Sequence, residues 1–298
     1  MKDDTAASYQ ERILRALTHI QGQLDAELPL EDLARVARFS PYHFHRVFRG
    51  MVGEPVAEYV RRLRLERAAH RLKRQDQPVT ELAFEAGYES HEAFTRAFHS
   101  LFGVAPSDYR AAHRGAAESP SGAHYGYLSA YRPPNYGNHA PVEIRTLRPE
   151  RVVFLRHIGP YHKVSGTWQR SAAWAGQRGL FGPGTRFVGV SWDDPDITPV
   201  EKLRYDAAIT VSRPVQPEGD IGVAELAGGP YATVVHKGPY ETLGGAYQAL
   251  FGASLPASGR ELRDDPCLEF YLNSPQNTRP EDLLTAIHIP LVPGTPIS

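Results

Sequence analysis

The sequence predicts a multidomain chain: an all-α N-terminal third built from two copies of a helix pair, followed by an α+β domain. The second domain is read as two βαββ repeats forming one antiparallel sheet with two helices. Three observations carry this reading. Apolar residues recur at helical spacing up to about residue 112. Short β-branched and aromatic runs replace them after residue 140. Each half also contains identities held at one fixed offset, the signature of internal duplication.

The elements follow in order. Ile13, Leu14, Leu17, Ile20 and Leu24 mark a first amphipathic helix, and "LEDLARVARF" and "VTELAFEAGY" repeat the spacing. An offset of 50 maps Ser40, Phe44, Arg46, Phe48, Gly53 and Tyr59 onto Ser90, Phe94, Arg96, Phe98, Gly103 and Tyr109. The basic segment 61–74, with seven Lys/Arg against one Glu, is expected to be the helix joining the two copies. Residues 113–140, rich in Gly, Ala, Ser, Pro and Tyr, read as a flexible linker between domains at 1–112 and 141–298. Beyond it, strand, helix, strand, strand is expected at 151–158, 162–177, 186–192 and 203–212. The same order is expected again at 231–237, 240–252, 267–273 and 283–291. "HIGPY" returns as "HKGPY", and an offset of 80 maps Pro195, Thr198, Glu201, Leu203 and Ile209 onto Pro275, Thr278, Glu281, Leu283 and Ile289.

Composition excludes several classes. With 298 residues the chain can bury two separate cores. Thirty-three basic and 34 acidic residues leave a formal charge of −1, so no global field announces a polyanionic partner. The single cysteine, Cys267, rules out an intrachain disulfide framework and a multi-cysteine zinc site. No apolar run approaches the ~20 residues of a membrane span, and "MKDDTAASYQ" lacks a signal core, so a cytoplasmic protein without a membrane partner is expected.

The stretch "SPYHFHRVFRGMVG" (40–53) packs two histidines, two arginines and three aromatics into one helix. Ser40 is a natural N-cap, and Pro41 at the first helical position needs no N–H donor. At 100° per residue, Phe44, Val47 and Phe48 share one side, while Tyr42, His45, Arg46 and Arg49 form a stripe on the other. His43 and His45 point about 160° apart and cannot chelate one ion. An exposed cationic, hydrogen-bonding stripe behind a helix and a tight turn is what a helix-turn-helix motif presents to a major groove. The second copy repeats it, with Phe94, Phe98 and Leu101 inward and Glu92, Thr95, Arg96 and His99 outward. Arg46 and Arg96 are the candidates for bidentate contact to guanine. Arg61, Arg62 and Arg64 either touch phosphate or form a solvated, ion-paired face.

These two motifs, the "S-x-x-x-F-x-R-x-F" helices and "GYESHEAFTRAFHSLFGVAPSDYR", resemble the AraC/XylS-type DNA-binding domain over residues 8–112. The resemblance implies that one monomer places two helices in successive major grooves of double-stranded DNA. It carries base contact onto Tyr42, His45 and Arg46, then onto His91, Glu92, Thr95 and Arg96. The carboxylate of Glu92 departs from the neutral residue many members carry there, and favours cytosine N4 or repels phosphate. The domain leads the chain here, as in the Rob-like minority.

The second half resembles the GyrI-like effector-binding domain over 141–298, through "H-x-G-P-Y" and the ending "PEDLLTAIHIPL". In the strand "CLEFYL", Cys267, Glu269 and Tyr271 share one face. At the 80-residue offset Glu269 corresponds to Gly189 and Tyr271 to Ser191, so the fold itself does not require a carboxylate there. An acid inside an apolar strand is costly unless paired or used. Either it bonds a neighbour, or it forms the floor of an aromatic groove for a cationic or hydrogen-bonding ligand. The resemblance adds that a glutamate in this strand plays the second part. Tyr161, Trp168, Trp174, Trp192 and Tyr240 are possible walls, or core.

Three functions stay open on these residues. The first is a one-component transcription regulator sensing a small amphipathic or cationic molecule, with RNA polymerase as a further partner. The second makes the C-terminal half a hydrolase of reactive small molecules, with Glu269 and Tyr271 as acid and base. The third is a protein-interaction module. No Ser-His-Asp or metal constellation supports the second, no catalytic residue or cofactor is assigned, and a fused DNA reader favours the first.

Overall fold

The computed structural model describes residues 2–113 and 142–294, with side chains from Tyr9 onward. The expected linker, from residue 114 on, lies outside the described residues. The chain divides into two compact units, Gln10–Pro133 and Pro134–Ser298 with Met1–Tyr9, and each is taken by itself.

The helical unit contains α1 (Lys2–Gly22) from Gln10 onward, α2 (Leu30–Ala37), α3 (Pro41–Val52), α4 (Val56–Arg74), α5 (Val79–Glu85), α6 (His91–Phe102) and α7 (Pro106–His113). Helix pairs α2–α3 and α5–α6 are the two copies. Prolines 29, 55 and 78 precede α2, α4 and α5, where a missing N–H costs nothing. Ser40 and Ser90 cap α3 and α6 by accepting from the N–H groups of His43 and Ala93, and Gly53 and Gly103 close them. The duplication persists in the core. Phe44–Phe48 and Phe94–Phe98 ring centroids are both 5.6 Å apart, and each second ring meets a tyrosine edge-on, Tyr59 at 5.5 Å and Tyr109 at 5.4 Å. The turns differ. Gly87 takes the left-handed position in the second copy (φ 79°), whereas Arg38 takes it in the first (φ 56°). The buried Arg12 donates from Nε to the Ala37 carbonyl at 2.9 Å, satisfying a helix end that has no intrahelical partner.

The second unit is one eight-stranded sheet with helices. Its strands are β1 (Glu143–Leu147), β2 (Glu150–Ile158), β3 (Phe187–Ser191), β4 (Arg204–Thr210), β5 (Ile221–Leu226), β6 (Gly229–Lys237), β7 (Cys267–Tyr271) and β8 (Leu284–Pro290). The order is β1-β6-β8-β7-β3-β4-β2-β5, with every neighbouring pair antiparallel. Helix α8 (Ser165–Gln177) follows β2. After β6 come α9 (Leu243–Ala249), a π-helical stretch Leu250–Ser254, and α10 (Leu255–Ser258). Both expected βαββ repeats are therefore present.

Two edge strands, β1 and β5, are additional to the expected set. Both are short; β1 is mostly open to solvent with Glu143 and Arg145 along it, whereas β5 is half-buried, with one charge, Glu225, and a glycine. Such edges carry little hydrophobic alternation for a sequence pattern to register. They also exchange places. β1 precedes the first repeat but pairs with β6 of the second, and β5 precedes the second but pairs with β2 of the first.

The repeats meet at β3 and β7, where Gly189 stands opposite Glu269. These residues are also equivalent at the 80-residue offset, so the pseudo-twofold axis runs through that pair. On the helix side of the sheet, Val153, Leu155 and Ile209 pack under Trp168, Ala172 and Ala175 of α8. On the opposite face Val188, Val190, Leu268, Phe270, Ala208 and Tyr231 form a second apolar layer. Among the described residues no helix is long and apolar enough to cross a membrane.

Candidate functional site

Strand alternation puts Glu269 and Tyr271 of β7, Tyr205 of β4 and Gly189 of β3 on the helix side. The Glu269 residue is 6% exposed, yet its carboxylate is not bare. Oε1 accepts from the Tyr247 hydroxyl at 2.9 Å, and Oε2 accepts from Tyr271 at 2.8 Å. The Tyr271 proton is thereby used, so the 2.7 Å contact between Tyr205 and Tyr271 is a donation from Tyr205. The Tyr205 oxygen in turn accepts the indole N–H of Trp168 at 3.2 Å. Every donor in this chain points toward one carboxylate. Burial first, then the charge of Glu269, pushes the Tyr205 and Tyr271 phenols well above their ordinary pKa, so both remain protonated donors at neutral pH.

The walls are aromatic. Trp168 meets Tyr271 edge-on at 5.5 Å, Tyr240 meets it at 5.3 Å, and Tyr161 lies 5.9 Å from Tyr205. Tyr161 and Tyr240 occupy equivalent places in "HIGPY" and "HKGPY", and Trp168 and Tyr247 are equivalent in the two helices. The walls are thus nearly symmetric and the floor is not. Gly189 is required by close approach: a methyl there would collide with the Tyr205 hydroxyl and sit 2.8 Å from that of Tyr271.

Two expected wall residues lie elsewhere. Trp192 follows β3 at the parity of Val188 and Val190, which turns it to the opposite face. There its indole N–H donates to the buried Asp206 at 2.7 Å, beside the bidentate Arg156–Asp206 pair. Trp174 packs in the helix-side core with Arg178 4.2 Å above its ring. Sequence reading missed Tyr205 and Tyr247. Their signal was the one that found Glu269: Tyr205 corresponds to Thr285 in the other repeat, and Tyr247 to Trp168.

In the helical unit Tyr42, Arg46 and Arg49 of α3 are partly exposed, and the Arg46 guanidinium lies 4.4 Å over the Tyr42 ring. His45 departs from the expected open stripe, being only 3% exposed. On α6, His91, Glu92, Arg96 and His99 are exposed and Thr95 is half-buried, while Leu101, expected inward, is 41% exposed near the helix end. The Glu92 carboxyl is held below its usual range by its own backbone N–H, then by Ser90, so it is turned onto the helix N-terminus.

The basic helix resolves unevenly. Arg62 is committed to Glu54 and Glu66, at 3.1 and 2.9 Å, and its chemistry is that of an ion-paired face rather than a free phosphate ligand. Burial alone would lower its pKa, but these carboxylates outweigh it and raise it. Arg64 donates to the Leu24 and Ala26 carbonyls at 2.9 and 2.8 Å, a structural tie. Arg61 is exposed and pairs with the solvated Glu58.

Comparison with known proteins bears on both units. A model described as the GyrI-like small molecule binding domain matches residues 140–292, just over half the chain. The chain belongs to the GyrI-like family. A model described as a helix-turn-helix domain matches residues 33–112, ahead of the GyrI-like match. The chain is similar to the uncharacterized HTH-type transcriptional regulator YbfP of Bacillus subtilis (strain 168), 36% identical over 102 residues. That match covers 34% of this chain and 35% of YbfP. It is also 36% identical over 98 residues to the HTH-type transcriptional activator AarP of Providencia stuartii, covering 33% of this chain and 73% of AarP. The chain thus spans about a third of YbfP and nearly three quarters of AarP. Among solved structures it is similar to the EcmrR C-terminal domain, at 20% identity and a TM-score of 0.42, over 51% of this chain and 98% of that domain. YbfP and AarP carry the names of transcriptional regulators, and the model matching the second unit is described as a small-molecule binding domain.

Proposed function

We propose that the chain is a one-component cytoplasmic regulator. Residues 1–112 read promoter DNA, 113–140 link, and 141–298 hold a small amphipathic cation that alters promoter output through RNA polymerase. The observation that carries the sensing half is a carboxylate on the pseudo-twofold axis, walled by Tyr161, Trp168, Tyr240 and Tyr271, where the duplicated fold needs only glycine. Buried carboxylates are costly, and one that is dispensable to the fold is supported best by a ligand. Aromatic faces add attraction for a cation.

The DNA half rests on two equivalent stripes, Tyr42, Arg46 and Arg49 on α3, and His91, Glu92, Thr95, Arg96 and His99 on α6. Arg61 supplies phosphate contact. His45 joins the first stripe only where its burial is relieved.

The test is calorimetric titration with a hit from a lipophilic-cation screen. Glu269→Gln keeps size but removes charge, and should weaken binding about tenfold or more, the worth of a charge-assisted contact of ~1.5–3 kcal/mol. Operator affinity without the cation should be unchanged. Equal affinity in both proteins, with a large drop in melting temperature for the variant, would make Glu269 a structural carboxylate.

A further inference from the structure

The face of the sheet turned away from the helices differs between the two repeats, and the difference marks a contact surface. We infer that Val235, Leu284 and Leu272, at one end of that face, form the centre of a twofold contact between two copies of this chain.

Directly opposed residues of an antiparallel pair share a face. Val235 on β6 stands opposite Ala286 on β8, which stands opposite Phe270 on β7. Two residues along, Lys237 stands opposite Leu284, whose carbonyl accepts the N–H of Leu272 at 3.0 Å. Val235, Leu284 and Leu272 therefore lie side by side on three adjacent strands. Val235 is 47% and Leu272 55% exposed, and Leu284 is half-buried. Single exposed apolar side chains are ordinary, whereas neighbours on adjacent strands make a patch.

The first repeat shows that the fold does not call for this patch. In the "H-x-G-P-Y" register Val235 corresponds to Arg156. At the 80-residue offset Ala286, Leu284 and Leu272 correspond to Asp206, Arg204 and Trp192. There Arg156 donates to Asp206 at 2.7 and 2.8 Å and lies 5.3 Å over the Trp192 ring, and Arg204 pairs with Asp193. Ion-paired arginine thus covers the apolar ring in the first repeat. In the second, the same four positions are all aliphatic and nothing polar covers them.

Charge at the rim selects the occupant. Lys237 donates to Asp282 at 2.9 Å, and Arg279 to the same carboxylate at 2.7 Å, with Glu281 beside them. A rim of one sign suits a partner of the other sign. A rim that carries both signs around an apolar centre suits its own copy turned through 180°, because the cations of each then meet the carboxylates of the other. Such a contact closes at two copies and leaves no open end. The dimer carries two copies each of α3 and α6.

Sedimentation equilibrium of the full chain, from about 1 µM to about 300 µM, should show monomer and dimer exchanging, the range in which a small interface associates. Leu272→Glu should weaken association about tenfold or more, by placing a charge at the centre of the contact. Its monomer should melt at the wild-type temperature, since that side chain already stands half in water. Val235→Arg, which installs the first repeat's residue, should weaken association as well. Ile158→Glu is the control: Ile158 shares the face of Arg156 in the first repeat and is more exposed than either, so its replacement should leave association unchanged. A monomer at every concentration overturns the inference. So does a dimer indifferent to both Leu272→Glu and Val235→Arg, or one dispersed equally by Ile158→Glu. A monomer whose melting temperature falls in Leu272→Glu assigns the patch to a segment of the same chain, and overturns it too.

Discussion

At Gly189, one hydrogen atom in place of a side chain makes room for two phenols. Gly189→Ala should cost about 1–3 kcal/mol by overpacking and displace the Tyr205 or Tyr271 hydroxyl. Urea unfolding would show the first effect, and weaker calorimetric binding of a lipophilic cation the second. A second residue-scale prediction concerns the turn between α2 and α3. Arg38 holds a left-handed conformation that its counterpart Gly87 adopts without steric strain. Arg38→Gly should therefore stabilise the helical unit by roughly 0.5–1 kcal/mol, seen as a higher urea midpoint at unchanged slope.

Among the elements, β8 carries a pH liability. His288 is buried between Phe270, at 4.8 Å, and Tyr231, and desolvation lowers its pKa to about 4. The unfolded chain titrates near 6.5, so between those values it binds more protons than the native state. Stability is complete above pH 6.5 and falls as pH drops toward 4, by up to about 3 kcal/mol from this group. Melts at pH 7 and pH 5 should differ by less in His288→Leu than in wild type. Elements also show what was legible in the sequence. Both βαββ repeats and both helix pairs were, because each buries one face and so carries a clear period. β1 and β5 were not, being short edge strands without a clear period. The site was legible where repeat asymmetry exposed it, at Glu269. It was not legible for Trp192, since the strand's parity decides which face a tryptophan takes and composition does not.

For the whole molecule, two copies of one motif on one chain imply two half-sites. Arg46→Ala and Arg96→Ala should each cost about 1–3 kcal/mol of specific binding and relax preference at different base pairs, about one helical turn apart. Footprinting of both variants on a selected operator reads this directly; a shared altered position would contradict the two-groove arrangement. The exchange of β1 and β5 between the repeats has a further consequence. Each repeat borrows its outermost strand from the chain that precedes the other, so neither is a self-sufficient folding unit. A break in the turn before β5 would leave two fragments, each carrying an edge that only its mate can accept. Expressed apart, each should be insoluble or unfolded; expressed together, they should reassociate into one sheet, as a swapped dimer of single repeats would.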